Sequence, residues 1–157
     1  MDVEERQVID AYEILERYAA GERNFANTFI EGSDELDGAD LKGVNFSNSI
    51  LAEMMLDRVN FCRANLTKAH FGLSSLYFAN LEGADLSEAI LTFSELMGAN
   101  LTNAKLVNAN LSSASMDSVN LTNADLTGCN IGEAYLQKAI FSNTTMPDGS
   151  IRNQDIT

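Results

Sequence analysis

The sequence is poor in the residues on which most catalytic and metal sites depend. It has one histidine, His70, two cysteines, one proline and no tryptophan among 157 residues. A single histidine supplies only one base for Ser–His–Asp or Cys–His chemistry, and with two distant cysteines it does not supply the converging ligands of a metal site. No glycine-rich phosphate-binding motif appears either. We therefore expect no catalytic residue, no cofactor and no metal, and a protein that is not an enzyme.

Basic residues are also scarce, because 10 Lys and Arg accompany 23 Asp and Glu, a net charge of −13. Nucleic acids and anionic membranes both favour Lys and Arg, so neither is an expected partner. No stretch approaches the roughly 20 apolar residues of a membrane span, and the start MDVEERQVID is unlike a signal peptide. We expect a cytoplasmic protein whose Cys62 and Cys129 stay unpaired in a reducing compartment.

What the sequence has in abundance is a repeat of five residues. Every fifth residue from Leu36 to Ile151 is Leu, Phe, Met or Ile, without exception over 24 positions, which we call the centre positions. The residue two before each centre, the small position, is Ala in 13 of the 24. In a helix, residues five apart would point in different directions around the axis, and in a flat strand successive centres would lie on opposite faces. Neither element could bury all the centres on one side. The backbone must therefore turn a corner every five residues, and coils about 4.8 Å apart must stack through main-chain hydrogen bonds. Since Gly is not present at each corner, we expect turns that suit L-residues.

The repeated motif A(D/N)LXX, as in ANLTNAKLVNANL at residues 99–111, resembles the pentapeptide-repeat family over about residues 24–151. The resemblance implies an all-β solenoid, a right-handed quadrilateral β-helix of about six coils with 20 residues in each coil. The segments ERYAAGERNF and TTMPDGSI resemble the two ends of cyanobacterial and plastid members that carry an N-terminal helical cap.

We expect three segments: an N-terminal helical cap at 1–23, the β-helix at 24–151 and a C-terminal tail at 152–157. The cap is expected to cover the first coil, because an open ladder end would pair with another molecule. Asp2 and Glu5 resemble an acidic capping box. Six residues are predicted to share one face of the cap helix: Val8, Ala11, Tyr12, Leu15, Tyr18 and Ala19.

Two irregularities are predicted within the repeat. The centres Ile30 and Leu36 are six residues apart, which indicates one inserted residue within EGSDEL at residues 31–36. Pro147 lacks the N–H that a further coil would need, and it is expected to end the ladder.

The stretch HFGLSSLYFAN, residues 70–80, places large apolar side chains at outward positions that are polar elsewhere. If coils contain 20 residues, Leu73 lies beside Phe93, and Tyr77 lies beside Met97. Eight such residues form what we call the apolar patch: Ile50, Met55, Leu73, Tyr77, Phe78, Ile90, Phe93 and Met97. An apolar cluster on a polar rod is a candidate partner site, and the alternative is that these side chains only stabilise one another along the ladder.

These patterns favour a non-catalytic scaffold that binds an unidentified protein partner and acts as a monomer. The alternative is a DNA mimic that interacts with gyrase, as some proteins of the resembled family do. Those proteins are typically acidic C-terminal dimers, often with projecting loops, whereas residues 36–157 carry only −6 and contain no later insertion. We therefore expect no effect on gyrase. An ice- or carbohydrate-binding array is disfavoured, because the column of Thr102 and Thr122 continues with unrelated residues.

Overall fold

The structure, a computed structural model, describes residues 6–155. Its regular elements are strand β1 (Gln7–Asp10), helix α1 (Ala11–Ala19), strand β2 (Thr28–Glu31), strand β3 (Thr144–Thr145) and strand β4 (Ile151–Arg152). Between β2 and β3 the chain forms single parallel bridges rather than longer strands. In this described part of the chain, no helix is long and apolar enough to cross a membrane.

The bridges reveal how the chain is wound. From the bridge between Asp40 and Asn60 onward, each one joins residues 20 apart, whereas Phe29 pairs with Ile50 at an offset of 21. The difference of one residue confirms the insertion predicted within EGSDEL. Main-chain N–H groups donate to the following coil, as Leu101 does to the Asn120 carbonyl at 2.8 Å. The chain is therefore a solenoid of stacked parallel coils.

The centre positions form the core of the solenoid. All of them from Leu36 to Leu126 are buried, and burial of a large apolar side chain contributes roughly 1.5–3 kcal/mol. The small positions lie beside them, and most are buried as well. Four phenylalanines form a chain of aromatic contacts with centroids 5.7, 6.1 and 6.2 Å apart: Phe25, Phe46, Phe61 and Phe71.

Among the last centres, Ile151 differs from the prediction that all centres face inward, because it is 54% exposed. Three others are only partly buried but still pack against the core: Ile131, Leu136 and Met146. These residues belong to the end of the solenoid, where a following coil does not cover them. A five-residue spacing predicts the direction of a side chain but not whether another coil lies above it.

The expectation that the corners suit ordinary L-residues was wrong. Each repeat makes a β-turn in which the N–H of the next small position donates to the centre carbonyl, as Val44 does to Leu41 at 3.1 Å. The residue two after the centre, which we call the corner position, has positive φ at every repeat between residues 38 and 143. Positive φ at the third residue is the mark of a type II turn, which favours Gly or Asn. Other L-residues pay a conformational cost of roughly 1–2 kcal/mol in this region.

The preference for Asn or Asp before each centre has a local cause. The Asn60 side-chain oxygen accepts a hydrogen bond from the Cys62 N–H at 3.1 Å, and its amide donates to Asp40 on the previous coil at 2.8 Å. One side chain thus fixes the turn within its own coil and joins neighbouring coils. His70 takes the same place, with Nδ1 accepting from the Gly72 N–H at 3.3 Å.

The N-terminal segment is organised differently from the prediction. Val8 lies in β1, which pairs in parallel with β2, and it is exposed rather than part of a helical face. Helix α1 begins after Asp10, whose carboxylate accepts a hydrogen bond from the Tyr12 N–H at 2.8 Å. This is an N-cap, and it explains why the helix starts at residue 11. The proposed capping box of Asp2 and Glu5 lies outside the described residues.

The buried face of α1 also differs in part. Ala11 and Ile14 are fully buried, Leu15 and Tyr18 pack partly against the core, and Tyr12 is 63% exposed. This spacing of three, four and seven residues is typical of an amphipathic helix. The prediction missed Ile14 and wrongly included Tyr12 and Ala19, both of which are exposed.

The C-terminal end turns back on the last coil. The Pro147 carbonyl still accepts a hydrogen bond from the Gly128 N–H at 2.9 Å, after which β4 pairs antiparallel with β3. The Phe141 N–H donates to the Asp155 carboxylate, and the Asn143 N–H donates to the Asn153 side chain, both at 2.7 Å. In the preceding coils, such main-chain N–H groups donate to carbonyls of the following coil. At the last coil, side chains of the tail accept these hydrogen bonds instead. The predicted boundary between residues 151 and 152 falls inside β4.

Candidate functional site

The structure places all eight residues of the apolar patch on the outside of two adjoining faces. Leu73, Phe93 and Phe78 are the most open, with 62%, 60% and 56% of their surface exposed. Exposure of the other five is lower, and Ile50 and Tyr77 are partly buried. The patch thus has three projecting side chains with flatter apolar surface around them.

Main-chain contacts set the patch residues of adjacent coils side by side. His70 bridges to both Ile50 and Ile90, which share its column. The Leu73 N–H donates to the Thr92 carbonyl at 3.1 Å, which brings the corner at Leu73 against the corner at Phe93. The continuous ladder therefore makes the patch a rigid surface rather than a set of mobile loops.

Phe78 lies over a position without a side chain. A Cβ built at Gly98, one coil further along, would come within 2.6 Å of the Phe78 ring. The ring therefore rests on the Gly98 backbone. Gly98 also occupies a positive-φ corner (φ 70°), so both the turn and the ring favour glycine at this place.

The three projecting residues occupy corner positions and have the positive φ of all corners between residues 38 and 143, but they differ from the other corners in their side chains. Leu73, Phe78 and Phe93 have φ of 61°, 57° and 57°. The other corners between residues 38 and 143 hold Gly, Asn, Ser or charged residues. A bulky apolar residue with positive φ is a conformational outlier, and here it is combined with an exposed apolar side chain. The turn favours Gly or Asn at these positions, and the exposed side chains add little to the core, so neither the turn nor the core explains the presence of Leu or Phe here.

Polar groups are interleaved with the patch. The Asp57 carboxylate accepts a hydrogen bond from the Tyr77 N–H at 3.0 Å, across neighbouring coils. Hydrogen bonding to the Glu95 carboxylate, together with partial burial, raises the pKa of the Tyr77 hydroxyl. The Tyr77 hydroxyl therefore stays neutral beside Glu95, and the hydrogen bond to Asp57 fixes the main chain of Tyr77.

The structure extends the patch by two residues that the sequence prediction missed. Phe29 bridges to Ile50 and Val8 pairs with Phe29, which continues the column of Ile50, His70 and Ile90 toward the N-terminus. The sequence could have predicted Phe29, because the single insertion in EGSDEL changes the stacking offset from 20 to 21 residues. An offset of 21 places Phe29 beside Ile50.

The residues considered for chemistry are not brought together. Cys129 is buried at a small position, and burial raises the pKa of its thiol to about 12. Cys62 and Cys129 are both unpaired. Across residues 6–155, no group of three or more His, Cys, Asp or Glu side chains is arranged to hold a metal ion.

An open cavity of about 810 Å³ lies at the C-terminal end of the solenoid. It is formed by the partly covered centres Ile131 and Met146 together with the tail from Pro147 to Gln154. The cavity is remote in sequence from the apolar patch, and it contains none of the residues that the sequence singled out for a site.

Comparison with known proteins agrees with the repeat. A family model for pentapeptide repeats matches eight copies over residues 56–92 and 94–132. No curated protein gives a significant match. Among solved structures, HetL of Nostoc sp. strain PCC 7120, involved in heterocyst differentiation regulation, is 21% identical over 92% of this chain and 100% of its own, with a TM-score of 0.34.

Two further solved structures are similar to the chain. A pentapeptide repeat protein of the Arabidopsis thaliana thylakoid lumen is 25% identical over 73% of this chain and 70% of its own, with a TM-score of 0.41. Another from Nostoc PCC 7120 is 30% identical over 76% of this chain and 84% of its own, with a TM-score of 0.27. On the matched repeats, the chain belongs to the pentapeptide-repeat family and forms the right-handed β-helix solenoid of that family.

Proposed function

We propose that the protein is a non-catalytic scaffold that docks a partner protein through the apolar patch. The observation that carries this proposal is the set of three corners at Leu73, Phe78 and Phe93. Each combines positive φ, which costs an ordinary L-residue roughly 1–2 kcal/mol, with an apolar side chain that is more than half exposed. Strain and exposed apolar surface at the same positions are typical of a binding site.

The experiment compares two variants that alter corners of the same backbone geometry. The first replaces the three apolar corners: Leu73→Asn, Phe78→Asn and Phe93→Asn. The matched control replaces three charged corners on the other two faces: Arg63→Asn, Lys68→Asn and Glu88→Asn. Tagged forms of the natural protein and both variants are used to purify partners from the encoding organism, with quantitative mass spectrometry as the readout.

We expect proteins that co-purify with the natural protein and the control but are lost with the apolar-corner variant. Urea unfolding of all three forms establishes that they are equally folded. If the apolar-corner variant is folded and retains the same partners, the patch serves only ladder packing and the proposal is wrong.

We propose further that each coil is quadrilateral and that α1 acts as a cap on the first coil. The support for the cap is that Ala11 and Ile14 are fully buried and that the Tyr18 hydroxyl donates to the Lys42 carbonyl at 2.8 Å. A capped end would keep the protein monomeric at that end, and we propose a cytoplasmic monomer. The gyrase alternative is tested by a supercoiling assay, in which we expect neither inhibition nor protection.

A further inference from the structure

The stacking divides the charge of the solenoid unevenly between its faces. The two faces that carry the apolar patch hold eight acidic residues and one basic residue over five coils, a net −7; they comprise residues 29–38, 50–58, 70–78, 90–98 and 110–118. The opposite faces hold five acidic and four basic residues, a net −1, in residues 39–49, 59–69, 79–89, 99–109 and 119–129. The net charge of the whole chain does not show this difference between the two pairs of faces.

The acidic side chains surround the apolar patch. Four lie on the first coil, on the N-terminal side of the patch: Glu31, Asp34, Glu35 and Asp37. Glu53 occupies the corner one coil before Leu73, and Glu95 lies between Phe93 and Met97. Asp117 follows on the next coil. The 70–78 segment, where the patch is most apolar, contains no acidic residue. Apart from Arg58, at the corner one coil before Phe78, the surface is thus an apolar centre with an acidic border.

The carboxylates of these faces are not neutralised by neighbouring bases. The ion pairs of the solenoid coils in the described residues join Lys68 to Glu88 at 3.4 Å and Lys105 to Asp85 at 3.9 Å, both on the opposite faces. Glu53 and Glu95 are exposed, and within residues 6–155 no ion pair involves them. Carboxylates without a basic partner give these faces a negative potential, and a cationic partner is attracted to it.

We propose that the partner segment is a basic amphipathic polypeptide, in which apolar or aromatic side chains fill the spaces between Leu73, Phe78 and Phe93, and flanking Lys or Arg side chains contact the acidic border. This inference rests on the proposed docking function. The same border repels phosphate groups, so nucleic acid and anionic membranes do not compete for the site. The apolar centre supplies affinity, and the border supplies orientation and the preference for a basic partner.

The test begins with random 16-residue peptides displayed on phage, which are selected on the full-length protein. Counter-selection against the Leu73→Asn, Phe78→Asn, Phe93→Asn variant retains only peptides that need the patch. We expect the retained sequences to contain apolar or aromatic residues together with a clear excess of Lys and Arg over Asp and Glu.

The second step measures the affinity of one retained peptide, made synthetically, for two charge variants. The border variant carries Glu31→Gln and Glu53→Gln, two exposed carboxylates that, unlike Glu95, form no hydrogen bond with a patch side chain in the described part of the chain, and the control carries Glu82→Gln and Glu88→Gln on the opposite faces. Each replaced carboxylate removes one solvent-exposed ion pair between the protein and the bound peptide. The dissociation constant of the border variant should therefore rise roughly 2- to 30-fold in low salt, and added salt should reduce this difference. The control should bind like the natural protein. Circular dichroism and thermal unfolding establish that both variants fold.

The outcomes separate this inference from the proposed function. Patch-dependent peptides that are neutral or acidic, or a basic peptide that binds the border variant unchanged, would overturn the basic partner and leave the docking function in place. A selection that yields no patch-dependent peptide would contradict both.

Discussion

The distinction between a core residue and a docking residue is sharpest for two phenylalanines, Phe71 and Phe93, which lie on neighbouring coils. Phe71 is a centre with no exposed surface, whereas Phe93 is a corner with 60% of its surface exposed. Replacing Phe71 by Ala removes a fully buried ring and leaves a cavity, which costs roughly 3–5 kcal/mol of unfolding free energy.

The expected result for Phe93→Asn comes from two opposing terms. The ring buries about two-fifths of its surface, so its loss removes roughly 0.6–1.2 kcal/mol of a full burial value of about 1.5–3 kcal/mol. Asn tolerates positive φ better than Phe does, and this relief returns a comparable part of the roughly 1–2 kcal/mol of strain. We therefore expect a net change below about 1 kcal/mol.

Urea unfolding followed by circular dichroism measures both variants. With a slope of about 2 kcal/mol per molar urea, Phe71→Ala should lower the midpoint by roughly 1.5–2.5 M, and Phe93→Asn should move it by less than about 0.5 M. If Phe93→Asn lowers the midpoint by 1 M or more, Phe93 is a structural residue, and the argument that its strain is retained for binding is refuted.

Three further results are expected. Ser74→Ala should cost roughly 1–3 kcal/mol in urea unfolding, because its buried hydroxyl donates to the Leu51 carbonyl at 2.6 Å. Asp155→Ala should speed hydrogen exchange of the Phe141 amide, which loses its acceptor at 2.7 Å, and unchanged exchange would show that the tail does not cap the last coil. In a Cys62→Ser variant, which removes the partly exposed thiol, Cys129 should resist a thiol reagent at pH 8 until the protein is unfolded, since burial raises its pKa to about 12 and leaves almost no thiolate; rapid labelling of this folded variant would contradict that burial.

Much of the solenoid could be predicted from the sequence because its rule is local and repeated. A large apolar residue at every fifth position has one way to be buried throughout, and the centres from Leu36 to Leu126 are buried accordingly. The inserted residue in EGSDEL could also be predicted, since a change of spacing in sequence becomes a change of stacking offset. The positions of the patch residues on the outside followed from the same spacing.

The details at the ends could not be predicted in this way. Val8 has helical spacing with Ala11 and Leu15, but it lies in β1 because the edge of β2 offers hydrogen-bond partners that the spacing does not reveal. Similarly, the five-residue rule placed Ile151 inside, where only another coil would have buried it. Contacts at an end depend on which segment folds back, and a periodic pattern carries no information about that.

The corners show a different kind of limit. The mixture of residues at corner positions suggested turns that any L-residue could adopt, yet all of them have positive φ between residues 38 and 143. The stacked ladder supplies enough stability to impose this conformation on residues such as Arg58 and Leu73. Because residues that disfavour positive φ still occur at corner positions, the residue types there do not reveal the backbone conformation. The φ values become known only from the structure.

The central claim is that coils of 20 residues place Leu73 directly beside Phe93, and paired cysteines test it most directly. In a Cys62→Ser background, cysteines at these two corners should lie about one strand spacing apart, roughly 4.8 Å, within reach of a disulfide. Cysteines that replace Arg63 and Leu73 should lie half a coil apart, on opposite sides of the core. Under mild oxidation of the folded protein, we expect intact mass to show a disulfide in the first pair alone; absence of a disulfide in the first pair, or its formation in both, would contradict the stacking.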